Sequence, residues 1–329
     1  MHKKVVVLGM GGTIAGRSST AGDNVGYKAG EVGVVDLLAA IPSLSVVLDG
    51  AELVAEQVAQ IDSKDLDDTH WFALALRVDQ YLGQPDVAAV VITHGTDTLE
   101  ETAYFLSRVV SQAAIAAKPV VLTCAMRPAT ALTPDGPQNV LDAFAVALYP
   151  GAHGVLAVCA GAVHSAAHVQ KTHPYRLDAF DSGEAGPLGY IEEGAVRLVQ
   201  SWPQDAGSSS GENRLTALAL PKVPWPRVEI VTSHAGAGGA MVDAICQAQS
   251  ATAPLRGIVV AGTGNGTIHK GLEAALLRAR AQGVSVVRST RCAYGAVVQS
   301  SSPQPDAIAA TPLSPVKARV QMVLDLMLR

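Results

Sequence analysis

"VVITHGTDTLEETAYFL", residues 90–106, changes character twice. An apolar run ends at Thr93, small or polar residues follow from His94 to Thr98, and Leu99, Ala103, Leu106 and Val110 then recur at the spacing of one helical face. Thr98 with Glu101 three positions later has the form of a capping box. The segment therefore reads as strand, polar turn, helix. A turn needs a glycine. It does not need a histidine, two threonines and an aspartate at the carboxyl end of a strand, which is where open α/β sheets place their ligands.

The same unit recurs along the chain. Strand-like runs occur at 5–8, 87–93, 119–123, 154–158, 228–232, 257–261 and 284–287, with helical patterns at 65–82, 136–148, 268–282 and from Ser314 onward. Alternation of this kind implies an α/β protein with a mainly parallel sheet covered by helices. At 329 residues the chain exceeds one comfortable core, so two domains are expected. Residues 200–226 gather Gly, Ser and Pro without periodicity, which places a linker there between domains at 1–199 and 227–329.

Composition narrows the function. Hydrophobic residues are 49% and charged ones 16%, which argues for buried sheets and against disorder. The formal net charge of −5 and the lack of any Lys/Arg-rich run exclude the electrostatic footprint of a nucleic-acid binder. No apolar stretch is long enough for a membrane span, and the first one stops within six residues at a Gly-rich turn, too short for a secretory signal. A cytoplasmic address is expected. Cys124, Cys159, Cys246 and Cys292 form no C-x-x-C pair and read as reduced thiols. His153, His164, His168 and His173 lack the Cys or Glu company of a metal site. Neither metal nor cofactor is expected.

A second strand end matches the first: "VVVLGMGGTIAG" (5–16) also finishes in a glycine turn that presents a threonine, Thr13 beside Thr96. Neither this turn nor Gly264-Asn265-Gly266 completes a dinucleotide fingerprint, because the third glycine is missing from both. A threonine hydroxyl becomes a nucleophile only when a base takes its proton. Lys171 stands in the otherwise uncharged "AGAVHSAAHVQKTHPY" (160–175), where desolvation would lower its pKa toward that of a useful base. Asp97 is placed to orient that lysine. Tyr27, in the glycine-rich segment 16–31 that reads as a lid or binding loop, is placed to exchange a proton with Thr13. Taken singly, Thr96 also reads as a turn residue, Asp97 as a helix-start anion and Tyr27 as a surface aromatic.

Together, "GGTIAG" (11–16), "THGTDTLEETA" (93–103), "CAMRP" (124–128), "DGPQN" (135–139), "GPLGY" (186–190), "GNG" (264–266) and "KAR" (317–319) resemble the bacterial-type L-asparaginase/glutaminase amidohydrolase family over essentially the whole chain. The resemblance implies a larger amino-terminal and a smaller carboxy-terminal α/β domain, assembled as a homotetramer with sites between subunits. Its implied substrate is L-asparagine, with L-glutamine second. It assigns the nucleophile to Thr13, its partner to Tyr27, and a second catalytic group to Thr96, Asp97 and Lys171. Ser63 matches the residue that binds the substrate α-carboxylate, Asp97 also the acceptor of the α-ammonium, Gly95 and Ala125 pocket walls, and Asn265 a substrate-binding position.

The chain also departs from that pattern. Met10 replaces a threonine, Asp62 and Lys64 flank Ser63 where periplasmic members have glycine and glutamine, and Ser302 stands near the place of a glutamate donated by a neighbouring subunit. Lys64 reads either as a supplementary cation for the substrate carboxylate or as a surface partner of Asp62 or Asp65. A catalytically silent amino-acid sensor on this scaffold would be expected to lose Thr13, Thr96 or Lys171, and all three are present. The amide-releasing subunit of a tRNA amidotransferase would want a further domain and a basic surface. Hydrolysis of asparagine is the expectation.

Overall fold

The computed structural model describes residues 3–20, 22–203, 215, 225–248, 254–299, 301 and 307–327. The chain divides into two compact units, Met1–Thr216 and Ala217–Arg329, each built on its own sheet. Most of the linker expected at 200–226 lies outside the described residues, as does Ser302.

The first unit carries an eight-stranded sheet. Its spatial order is Ala195–Leu198, Gly189–Glu192, Ala162–Ser165, Val155–Cys159, Val120–Thr123, Val87–Thr93, Lys4–Gly11 and Glu52–Ile61. The five strands from Val155–Cys159 to Glu52–Ile61 pair in parallel, and the other three add antiparallel. Numbered along the chain, the parallel strands run 2-1-3-4-5. The order reverses between the first strand and the third, and a crevice opens at the carboxyl ends of such a pair. Thr13 and Thr96 follow those two strands.

Alternation along the strands fills both faces. Val5, Val7, Ala89, Val91, Val121, Leu156 and Val158 pack against the helices Val34–Ala39 and Gly136–Ala147. Val6, Leu8, Val90, Ile92 and Leu122, the alternate positions, are likewise fully buried. The helices Asp68–Leu82 and Leu99–Val109 pack together through stacked Trp71 and Phe105, ring centroids 5.2 Å apart. Each such valine, leucine or isoleucine contributes about 1.5–3 kcal/mol on burial, which fixes the register on which the turns depend.

Two local expectations differ from the structure. Glu52–Ile61 is a strand that the apolar-run reading passes over, because Glu52, Glu56, Gln57 and Gln60 interrupt it. It is the outermost strand and none of its residues is fully buried, so those polar residues carry little cost. Thr98 does sit at the helix N-cap, but its hydroxyl donates to the Ser63 carbonyl at 2.9 Å and makes no side-chain cap. That hydroxyl ties the helix start to the turn after Glu52–Ile61, across the intervening first strand.

In the second unit Arg227–Thr232, Leu255–Gly262, Ser285–Thr290 and Ala309–Ala310 form a wholly parallel sheet in that order. Ala240–Gln247 and Lys270–Ala281 cover one face through Val242, Leu272 and Leu276. Pro315–Met327 covers the other through Ala318, Met322 and Val323. Among the described residues no helix is long and apolar enough to cross a membrane.

Candidate active site

Three strand ends converge at the switch point of the first unit. Gly12 takes φ +81°, and a Cβ there would overlap the Gly95 backbone, so only glycine lets the first and third strands approach this closely. Gly95 in turn faces Ser63, where a Cβ would meet the Ser63 hydroxyl at 2.5 Å. Gly12 N–H also donates to the Ile61 carbonyl at 2.8 Å. Thr13, Ser63 and Thr96, all buried, are thereby set side by side by backbone contact.

Thr13 lies in a 3-10 turn, Thr13–Ala15, and its Oγ1 is 2.6 Å from Tyr27 Oη. Tyr27 reaches it from a small hairpin, Arg17–Ser18 against Tyr27–Lys28, so the segment that reads as a lid or binding loop is partly strand-paired. The hairpin returns to the same turn: Gly30 N–H donates to Gly12 O at 3.1 Å, and Glu31 and Val32 donate to Ala15 O at 2.8 and 2.9 Å. Burial pushes the Tyr27 phenol above its ordinary pKa; the Thr13 hydrogen bond opposes it, and the negative charges of Asp62 and Asp97 add lesser upward contributions. Tyr27 is a neutral phenol at neutral pH.

Around Thr96 the surroundings are ionic. Lys171 Nζ donates to Thr96 Oγ1 at 2.8 Å and to Asp97 Oδ1 at 2.7 Å. Lys171 comes from a two-residue strand, Gln170–Lys171, paired with Phe180–Asp181. Its uncharged sequence neighbours thus give a misleading picture, since an ion pair meets its ammonium. Asp97 N–H donates to Ser63 Oγ at 3.3 Å, which joins the third residue to this group.

The remaining expected positions are placed as follows. Ala125 is fully buried just past the strand Val120–Thr123. The loop after it is fixed by Asp135, whose carboxylate accepts from Met126 N–H and Arg127 N–H at 2.9 Å each, which gives "CAMRP" and "DGPQN" a shared structural purpose. Lys64 points its ammonium at Asp65 and, at 3.7 Å, at Asp62. Asn265 lies in the second unit, where its side chain donates to Val298 O at 2.9 Å and accepts from Val298 N–H at 2.7 Å. His164 and His168 each turn Nδ1 to a serine, Ser182 at 2.8 Å and Ser165 at 3.1 Å.

Two buried residues of this region received no role from the sequence. His94 is fully enclosed, with Nδ1 on the Gly95 carbonyl at 2.7 Å; burial lowers its pKa to about 4, so the ring is neutral. Glu100 is 8% exposed and accepts the Lys171 N–H at 3.3 Å. It follows Leu99 directly and so lies off the helical face of Leu99, Ala103 and Leu106, which is why periodicity gives no sign of its burial.

Comparison with known proteins places the fold and the family. Residues 4–204 match the asparaginase N-terminal family model and residues 227–328 the glutaminase/asparaginase C-terminal domain model. The chain is 36% identical over 326 residues to an L-asparaginase 2 of Bacillus subtilis (strain 168), covering 97% of this chain and 81% of that one. It is 35% identical over 328 residues to a glutaminase-asparaginase of Pseudomonas fluorescens biotype A, covering 98% and 86%. A crystal structure of a probable cytoplasmic L-asparaginase from Campylobacter jejuni superposes with a TM-score of 0.86 at 35% identity, covering 98% and 95%. Fold and comparisons together define a hydrolase built of two α/β units. The chain belongs to the bacterial-type asparaginase family, the asparaginase/glutaminase amidohydrolases.

Proposed function

We propose that this chain hydrolyses L-asparagine to L-aspartate and ammonia through an ester on Thr13. Thr13 Oγ1 attacks the side-chain amide carbon, the C–N bond breaks, and ammonia leaves an aspartyl ester on the threonine. Tyr27, a neutral phenol 2.6 Å away, takes the hydroxyl proton while passing its own toward the departing nitrogen. Water then attacks the ester, oriented by Thr96 and the Lys171–Asp97 pair, and the Thr13 hydroxyl is regenerated. Ser63 receives the substrate α-carboxylate, Asp97 its α-ammonium, and Gly95 and Ala125 close the walls.

The observation that carries this reading is the pairing of two differently served hydroxyls at one switch point, brought together by the Gly12–Gly95 contact. Ammonia release from L-asparagine and L-glutamine, measured for the wild type and Thr13→Ala, tests it. Turnover that is lost in the variant is expected. A variant as active as the wild type, or a wild type inert on both amides, would sink the proposal.

Glutaminase-asparaginase is the second reading, and the equal likeness to a relative of that name supports it. The two substrates differ by one methylene, worth about 1–3 kcal/mol of discrimination in a pocket, so dual activity requires little change. We further propose a homotetramer, with Asn265 as a substrate-binding position, and a cytoplasmic address like that named for the Campylobacter jejuni neighbour. Light scattering of the purified chain reads the assembly directly.

A further inference from the structure

The strand that carries Lys171 is only two residues long and pairs with Phe180–Asp181. Two ladder positions are a slender anchor for an ammonium that must stay within hydrogen-bond reach of Thr96. In this hairpin Thr172 N–H crosses to the Ala179 carbonyl at 2.8 Å, so the alternate residue, Lys171, turns its own N–H outward. That N–H meets Glu100 Oε1 at 3.3 Å. Lys171 is therefore held at both ends by one short segment of chain: its ammonium by Thr96 and Asp97, its backbone by Glu100.

A first-turn glutamate that merely complements a helix dipole has no reason to leave water. Glu100 is buried, and burial of a carboxylate is costly unless hydrogen bonds compensate it. We propose that Glu100 is the positioning residue for Lys171, fixing its backbone so that the extended side chain ends on the Thr96 hydroxyl. This inference rests on the reading that Lys171 serves hydrolysis. Glu100 touches no reacting atom; it acts through the lysine. Its contribution belongs first to the chemical step, because Ser63 is held independently by its contact with Gly95, while Asp97 shares the Lys171 ammonium and passes only a smaller effect to substrate capture.

The test is steady-state ammonia release from L-asparagine by the wild type, Lys171→Met, Glu100→Ala, Glu100→Gln and Glu100→Asp. Glu100→Ala is expected to lower kcat roughly 10- to 100-fold with KM within about twofold, the size of effect that a small misplacement of a catalytic group produces. Glu100→Gln keeps an oxygen that accepts the Lys171 N–H and is expected to restore kcat to within about threefold. Glu100→Asp keeps the charge but withdraws the oxygen by one methylene, and is expected to resemble the alanine variant. The aspartate and glutamine variants decide the question even where the alanine variant does not fold. A wild-type kcat in Glu100→Asp and Glu100→Ala, or a KM that rises in step with the loss, would overturn the proposal. So would failure of glutamine to rescue at an unchanged melting temperature. Lys171→Met separates the two levels: if it stays active, the role given to Lys171 falls; if it is inert while Glu100→Asp is fully active, only the role of Glu100 falls.

Discussion

Thr13 and Thr96 leave neighbouring parallel strands at the same end of one sheet, yet the first meets a phenol and the second an ion pair. The phenol arrives on a short hairpin, and burial keeps it protonated. The ammonium arrives on a two-residue strand and is shared between Thr96 and Asp97. A neutral partner moves a proton without leaving net charge behind, which suits attack by a weak hydroxyl on a neutral amide. A cation fixed against a hydroxyl polarises it and holds a water in one orientation, which suits hydrolysis of the ester that results. Under the proposed mechanism the two strand ends serve the two halves of one reaction because the charge of their partners differs.

The largest effect expected from breaking this division is seen in the covalent intermediate. Thr13→Ala and Lys171→Met are both expected to lose about 10³-fold or more in kcat, near 4 kcal/mol of transition-state stabilisation. They differ in what accumulates. Lys171→Met, mixed with L-asparagine and quenched in acid, is expected to show the mass of an aspartyl adduct, whereas Thr13→Ala shows none. Release of ammonia in proportion to enzyme before turnover stops would accompany the adduct. If Lys171→Met forms no adduct while still binding substrate, the lysine works in the first step and the division of labour is wrong.

Much of this arrangement is legible in the sequence, and the exceptions have physical causes. The strand-turn-helix unit at 90–106 and its partner at 5–16 stand out because their strands are buried on both faces and so are continuously apolar. Glu52–Ile61, which delivers Ser63, does not stand out, because an edge strand tolerates glutamate and glutamine along its length. Lys171 could be singled out as a lone charge, but the pairing that gives it purpose joins residues 74 and 75 positions apart, beyond the reach of any periodicity. The role of Glu100 is hidden for the opposite reason: an acid in a first helical turn has an ordinary explanation at hand. Fold class follows from local patterning, while the polar contacts of the site follow from the crossing of strands distant in sequence.

The Thr96 half rests on a titrating support that has no counterpart behind Thr13. His94 Nδ1 faces a carbonyl, which only accepts, so the neutral ring carries its proton on Nδ1 and presents an unprotonated Nε2 to a buried environment without a hydrogen-bond partner among the described residues. Its pKa falls from 6.5 to about 4 on folding because burial penalises the cation. Between those values the unfolded chain binds more protons, so stability is fully present above about pH 6.5 and is lost progressively as pH falls toward 4. The whole shift corresponds to on the order of 3 kcal/mol, of which about 2 is gone by roughly pH 5. Urea unfolding of the wild type and of His94→Gln at about pH 7.5 and pH 5 measures it, with the variant expected to lose much less of its stability on acidification. The carboxylates Asp23, Asp67, Asp86 and Glu192, whose pKa values are lowered on folding, contribute their losses at lower pH, and Asp142, raised by burial, is common to both proteins. Equal acid losses in the two proteins would remove His94 as the cause.

The smallest effect concerns Lys64, the cation nearest in sequence to Ser63, which sharpens the contrast with Lys171. Lys171 is 15% exposed and pairs with a residue of the site, whereas Lys64 is 60% exposed and lies between Asp65 and Asp62. A surface pair of this kind contributes little to stability and is screened by salt. Its ammonium must leave two carboxylates before it meets a third on the substrate, so little net attraction remains for recognition. Lys64→Gln is accordingly expected to change KM for L-asparagine by less than about threefold, with kcat unaffected, and to do so equally at low and high ionic strength. A KM that rises tenfold at low salt and converges with the wild type as salt is added would instead show that the lysine exchanges its partners for the substrate carboxylate. Ser63 would then share that carboxylate with a mobile cation, and the recognition half of the site would be electrostatic as well as hydrogen-bonded.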